Sequence, residues 1–122
     1  MKVQCTRLLD APQRQSSWLT VGKIYDVLSV VFDAHGRWLL RLPSDSYPGV
    51  GLFPIEQFKV VDARVPSCWI VTWNANGVFE LTTQDWSNPG FWEAYFDGDP
   101  SAKTAFQRDV HRIMQASESS GE

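Results

Sequence analysis

The sequence has little of what catalysis and metal binding require. It contains two histidines and two cysteines in 122 residues, and Cys5 and Cys68 are too far apart for a typical metal-ligand spacing. His35 falls in a predicted hairpin turn and His111 on the solvated face of a predicted helix, so neither is expected to be catalytic. The sequence has no glycine-rich phosphate loop and no complete calcium-binding loop. We therefore predict no enzyme activity, no metal and no cofactor.

Long apolar runs are also missing. No stretch approaches the roughly 18 to 20 apolar residues that a membrane helix needs, and residues 1–7 lack the apolar segment of a signal peptide. We therefore expect a cytoplasmic protein that has no membrane partner. The chain does have apolar bulk, with 43% hydrophobic residues, six Trp and seven Phe. This is enough for a folded core.

Charge is distributed unevenly between the two halves. Residues 1–62 carry seven Lys and Arg against six Asp and Glu, whereas residues 63–122 carry four against eight. Residues 80–99 contain five acids and no Lys or Arg. This stretch argues against direct nucleic-acid binding, and it favours either a basic protein partner or simple solubility.

Residues 1–62 show the patterns of a β-rich unit. β-Branched and aromatic residues over 23–42, interrupted by a turn at 33–36, predict a hairpin. A polar loop follows, and then Leu-Phe-Pro at 52–54 and a short predicted strand at 58–61.

The order of these features resembles an SH3-like barrel. The most specific part is Gly-Leu-Phe-Pro-Ile-Glu-Gln-Phe at 51–58, because SH3 domains end with a similar motif, a single helical turn and a closing strand. The resemblance implies a first strand at 6–10 and another at 22–28. It also implies an alternative binding groove for peptides, formed by Trp18, Trp38, Tyr47, Pro54 and Phe58.

Residues 63–122 predict a second β-hairpin and two helices packed on the barrel, so that the whole chain is expected to form one compact domain. The strands at 68–73 and 78–82 flank an Asn-Gly turn. Trp69, Val71 and Trp73 share one face by the two-residue period, so we expect them to pack inward. The predicted fold class is therefore α+β and mostly β, with an SH3-like small barrel, a β-hairpin and two C-terminal helices.

Proline and glycine mark the two helices. Pro89 is predicted in the first turn of one helix, capped by Asn88 or Ser87, and Gly98 ends it. Asp99 then caps a second helix, which carries an apolar stripe. From residue 116 onward the tail is expected to fray.

Residues 85–99 combine five aromatic rings with four carboxylates. Protein interfaces favour aromatic anchors and complementary charge. Unpaired carboxylates cannot be buried, so we expect these acids to stay in water. The predicted partner-binding residues are Asp85, Trp86, Trp92, Glu93, Asp97 and Asp99.

The segment Gly-Phe-Trp-Glu-Ala-Tyr-Phe-Asp-Gly-Asp-Pro at 90–100, behind a β-rich first half, resembles immunity proteins of bacterial polymorphic-toxin and contact-dependent growth-inhibition systems. The resemblance implies a cytoplasmic protein that binds a cognate toxin domain, often a nuclease, and occludes its active site. The sequence thus leaves two hypotheses. The first is such an immunity protein, and the alternative is an SH3-like peptide-binding or assembly module with no toxin partner.

Overall fold

The computed structural model describes residues 1–8, 18–46 and 49–119. The strands are β1 (Lys2–Cys5), β2 (Ile24–Asp26), β3 (Ser29–Phe32), β4 (Trp38–Pro43), β5 (Val50–Pro54), β6 (Phe58–Asp62), β7 (Trp69–Trp73) and β8 (Phe79–Thr83). A 3-10 turn (Ile55–Gln57) precedes β6, and two helices follow the strands, α1 (Phe91–Phe96) and α2 (Pro100–Ser119). No helix among the described residues is long and apolar enough to cross a membrane.

The strands form two antiparallel sheets. One has three strands in the order β2-β1-β6, and the other has five in the order β5-β4-β3-β8-β7. The predicted helical turn and closing strand are present, because the 3-10 turn leads into β6 and β6 pairs with β1. The second hairpin joins the larger sheet through β8 and β3. The predicted mostly β, α+β fold class is confirmed.

Two strand predictions in the first half need correction. The first strand lies at Lys2–Cys5 and residues 6–8 are not part of it, because beyond Cys5 the chain leaves the sheet and the backbone N–H of Thr6 donates to Gln57 O at 2.8 Å. The rest of the predicted strand, residues 9–10, lies outside the described residues. The long strand expected over 23–32 is split in two. Val27 and Leu28 are both fully buried at the break, which straight-strand alternation does not allow. The bend lets β2 pair with β1 while β3 pairs with β4.

The helix boundaries agree with the prediction in part. Asp99 caps α2, since its Oδ1 accepts a hydrogen bond from the Ser101 N–H at 2.8 Å. The predicted caps of α1 are wrong, because Gly90, at φ 80°, directly precedes the helix and no side chain caps it. The α2 backbone is helical to Ser119, which differs from the fraying expected from residue 116, and residues 120–122 lie outside the described residues. Neither Gly nor Pro interrupts this last stretch.

The buried core continues from the two sheets into the helices. Val3 and Leu40 in the strands and Phe106 and Ile113 in α2 belong to one cluster of buried apolar side chains. Each of them is at most 2% exposed. The helices therefore hold a fixed position on the five-stranded sheet.

Candidate protein-binding surfaces

A buried aromatic cluster fixes α1 against α2. We use this name for Trp86, Trp92, Tyr95 and Phe106. Trp86 stacks on Phe106 with ring centroids 5.4 Å apart, and Tyr95 lies 4.6 Å from the same ring. The Trp92 ring meets Phe106 edge-on at 5.9 Å. These contacts give the short α1 helix a rigid base.

The cluster contains two of the predicted partner-binding residues. Trp86 is only 2% exposed, so the expectation that it touches a partner is wrong. Trp92 is half-buried, and its ring lies 4.1 Å from the guanidinium of Arg41 in β4. The cation–π contact binds α1 to the sheet. Trp86 therefore belongs to the core, whereas the exposed part of Trp92 leaves its predicted role in partner binding as a prediction.

The predicted acids fall into three situations. Asp85 forms an ion pair with Arg108 of α2, so its charge is already neutralised within the chain. Asp99 is exposed and also caps α2. Glu93 and Asp97 are exposed, and their side chains form no ion pair with any residue in the described ranges. Three of the four predicted acids therefore remain in water.

An exposed aromatic ring lies among these three acids. Phe96, the last residue of α1, is 65% exposed although it follows the buried Tyr95. Its ring is 6.1 Å from Trp92 on the side toward the protein. The sequence prediction omitted Phe96, although its four-residue spacing from Trp92 indicated a shared helix face. We call Glu93, Phe96, Asp97 and Asp99 the acidic patch.

The alternative groove residues do not converge on one site. Trp18 packs edge-on against Phe53 at 6.2 Å, near the Gly51 end of β5. Trp38 packs on Phe32 at 4.6 Å, at the opposite end of the β4–β5 pair. The remaining predicted members are Pro54 and Phe58, both half-buried, and Tyr47, which lies outside the described residues.

An apolar groove nevertheless lies beside Trp38. It has a volume of about 310 Å³ and opens between the two sheets, with Val60 of β6 on one side and Leu81 of β8 on the other. Ile55 of the 3-10 turn also lines it. Trp38 is thus the one predicted groove residue that lines this cavity.

Aromatic side chains also form a row across the larger sheet. Trp73 pairs with Phe79, Phe79 with Phe32, and Phe32 with Trp38, each in register on neighbouring strands. Residues paired in register point to the same face of a sheet. We call these four residues the aromatic row.

The row overturns the expectation that Val71 and Trp73 pack inward. Trp69 is buried as expected, but Val71 is 63% and Trp73 80% exposed. α1 packs on the opposite side of the sheet, where Trp92 contacts Arg41. α2 reaches the face of the row only near Trp69, since Thr83, the strand partner of Trp69, donates its hydroxyl to Asp109 Oδ2 at 2.8 Å. The outer end of the row at Val71 and Trp73 is left exposed.

Two polar contacts lie near these surfaces, one in the five-stranded sheet and one at β2. Arg41 pairs with Glu80 at 2.9 Å, and both side chains are mostly buried. Burial lowers the pKa of Arg41, whereas the Glu80 carboxylate opposes that shift. In β2, Tyr25 Oη donates to Asp45 Oδ1 at 2.8 Å. Burial together with this contact raises the pKa of Tyr25 to about 12.

Within residues 1–8, 18–46 and 49–119, no three His, Cys, Asp or Glu side chains come together as metal ligands do. No protein-family model matches the chain, and no curated protein or solved structure matches it significantly. The function must therefore be argued from the surfaces themselves.

Proposed function

We propose that this protein acts in the cytoplasm as an immunity protein that binds a toxin domain through the acidic patch and occludes its active site. The observation that carries the proposal is the exposed ring of Phe96, which is 65% accessible and lies within three residues of the exposed acids Glu93, Asp97 and Asp99. An apolar ring within a set of unpaired acids favours a protein partner over water. The resemblance of residues 90–100 to immunity proteins supports the same function.

Phe96 supplies the affinity in this proposal. Fully burying a Phe side chain is worth about 1.5–3 kcal/mol relative to leaving it exposed. Aromatic anchors surrounded by polar residues carry much of the binding energy of protein interfaces. Since α1 is held by the buried aromatic cluster, little order has to be gained when the partner docks.

The carboxylates supply the selectivity. Nuclease active sites attract phosphate with positive charge, and a fixed set of acids can occupy the same field. Residues 63–122 contain four Lys and Arg against eight Asp and Glu, so the half of the chain that bears the patch is negative. The expected partner is a toxin domain with a basic cleft, of the kind found in nucleases.

Co-expression tests the proposal directly. Each reading frame adjacent to this one in its source genome would be expressed in a sensitive bacterium, alone and with this protein. Growth rescue by the wild type is expected for a toxin frame. Phe96→Ser combined with Glu93→Lys and Asp97→Lys should abolish rescue, because it removes the anchor and reverses two charges.

Glu56→Lys is the matched control, since Glu56 is an exposed acid in the 3-10 turn. This variant should rescue growth as well as the wild type does. Thermal unfolding of all variants shows that they fold. Unchanged rescue by the triple variant, or the lack of any rescued frame, contradicts the proposal.

A second candidate function, binding of an apolar peptide or assembly partner, is favoured by the 310 Å³ groove beside Trp38. Val60→Lys would place a charge at its mouth, where Val60 is exposed. If this variant loses partner binding while the triple variant of the acidic patch (the acidic-patch variant) keeps it, the groove is the binding surface.

A further inference from the structure

Strand β7 forms one edge of the five-stranded sheet. It pairs with β8 on one side, and no described strand pairs with its other side. The Asn74 N–H donates to Val78 O across the hairpin at 3.1 Å, so backbone groups of even-numbered residues point toward β8. By alternation, the N–H and C=O groups of Val71 and Trp73 point outward.

This edge lacks the features that protect natural edge strands. Such strands usually carry charged residues, proline, bulges or very few residues. Residues 65–79 contain no charged side chain, although charged residues make up 20% of the chain. The pairing of β7 with β8 runs without a bulge over all five residues. The other edge strand, β5, contains Pro54 and packs against Trp18 through Gly51.

The exposed side chains of β7 add an apolar surface to the open backbone. Val71 is 63% and Trp73 80% exposed, and both lie on the face that bears the aromatic row. Backbone donors, backbone acceptors and apolar side chains are therefore presented together. An added β-strand satisfies all three.

We infer that the added strand is β7 of a second copy of this chain, forming a symmetric antiparallel dimer. With the twofold axis at Val71, the two Val71 residues exchange N–H···O bonds, and each Trp73 N–H meets the C=O of Trp69 in the other copy. Four backbone hydrogen bonds close the interface. On the exposed face, each Trp73 ring then lies across from the other copy's strand.

The charge distribution selects a second copy over a charged partner. Each chain carries a formal charge of -3, yet the stretch around β7 offers no charge for an acidic or basic strand to pair with. A second β7 is equally uncharged and has the same length. A buried Trp contributes about 150–250 Å², so two Trp73 rings, two Val71 side chains and the strand backbones bury on the order of 1,000 Å², at the lower end for a specific interface.

This inference is independent of the proposed function, because the acidic patch lies on α1 and the dimer contact lies on β7. Sedimentation velocity of the full chain over a dilution series from about 100 µM to about 1 µM tests it. We expect dimers that dissociate in the micromolar range. The acidic-patch variant should dimerise as the wild type does.

Two substitutions address the interface. Val71→Lys places like charges opposite each other at the axis, and Val71→Pro removes only an outward N–H. Each should weaken dimerisation at least about tenfold, or 1.4 kcal/mol. Leu52→Lys is the matched control, since Leu52 is an exposed aliphatic residue on the other edge strand. It should leave the dimer unchanged.

Covalent trapping keeps the inference testable if Val71→Pro does not fold. Opposed residues in a hydrogen-bonded antiparallel pair have Cα atoms about 5.5 Å apart, within disulfide range. Val71→Cys in a Cys68→Ser background, oxidised by diamide with loss of two thiol hydrogens, should form a disulfide-linked dimer. A wild type that is monomeric at about 100 µM, or a dimer unaffected by Val71→Lys, overturns the inference. In the first case, a strand of a different protein would be the occupant of the edge.

Discussion

Two groups of four aromatic rings lie in this small protein, the buried aromatic cluster under α1 and the aromatic row on the larger sheet. They contain similar residue types, but Trp86 of the cluster is 2% exposed and Trp73 of the row is 80% exposed. The difference arises because the cluster lies between the helices and the sheet, whereas Trp73 lies on the edge strand β7, at the outer end of the row. Aromatic content alone therefore does not separate core from surface.

The comparison assigns different tasks to the two groups. The cluster contributes to the free energy of folding, since its rings pack on one another and on Arg41. The outer end of the row contributes little to folding of a single chain and is available for a partner. Substitutions in the cluster should lower the stability of the single chain. Substitutions at the outer end of the row should weaken association and leave that stability nearly unchanged.

The largest expected effect is in the buried cluster. Phe106→Ala should lower the free energy of unfolding by about 3–5 kcal/mol, because it leaves a cavity beneath three other rings. Urea unfolding followed by circular dichroism measures this loss. A loss below about 1 kcal/mol would show that the cluster does not hold α1 in place.

A smaller effect is expected at the contact that joins α1 to the sheet. Arg41→Met leaves the mostly buried Glu80 carboxylate unpaired, and breaking such a pair costs about 3 kcal/mol. Arg37→Met is the control, because the Arg37–Asp33 pair is largely exposed on the arginine side, and an exposed ion pair contributes little to stability. Equal losses in urea unfolding would contradict the assignment of Arg41 to the core side of the sheet.

An effect of pH on stability is expected at Tyr25, which belongs to neither the buried aromatic cluster nor the aromatic row. The folded protein raises the pKa of Tyr25 from 10 to about 12, so the folded state holds this proton more tightly than the unfolded state. The associated stability is complete below pH 10 and is lost as the pH rises toward 12. Melting temperature should fall over this range.

Tyr25→Phe removes the titrating hydroxyl and so tests its contribution to the pH dependence. This variant should lose about 1 kcal/mol at neutral pH, because the Asp45 carboxylate and the Thr20 N–H each lose a partner. Its stability should depend less on pH in the alkaline range than that of the wild type. An identical alkaline decline in both proteins would refute the contribution of Tyr25.

The smallest effect on folding is expected in the exposed row. Trp73→Ser should change the stability of the monomer by no more than about 0.5 kcal/mol, since little of its ring is buried in one chain. Urea unfolding in the Val71→Lys background separates this value from any effect of association. A loss of about 2 kcal/mol or more would mean that Trp73 belongs to the core.

Much of the fold could be predicted from local patterns. The turn residues and the β-branched segments located both hairpins, and Asp99 located the start of α2, because each is determined by nearby residues. The break at Val27 and Leu28 could not be predicted, since it depends on which strands compete for pairing. Strand pairing is decided between distant segments.

The candidate surfaces were harder to predict than the fold. Residue spacing shows that Trp69, Val71 and Trp73 share a face, but the position of the helices decides whether that face is covered. The same limit applies to Trp86, which has the composition of an interface anchor and lies in the core. The choice of the acids was better constrained, because unpaired carboxylates stay in water. The pairing of Asp85 with Arg108 required the tertiary fold.

Hydroxyl-radical footprinting of the wild-type chain, read by mass spectrometry at each tryptophan, tests the contrast between the two aromatic groups most directly. At about 1 µM the account predicts fast oxidation of Trp73 and very slow oxidation of Trp86, and at about 100 µM it predicts protection of Trp73 alone. Protection of Trp73 at the lowest concentration, or fast oxidation of Trp86, would contradict the division between a covered and an open face.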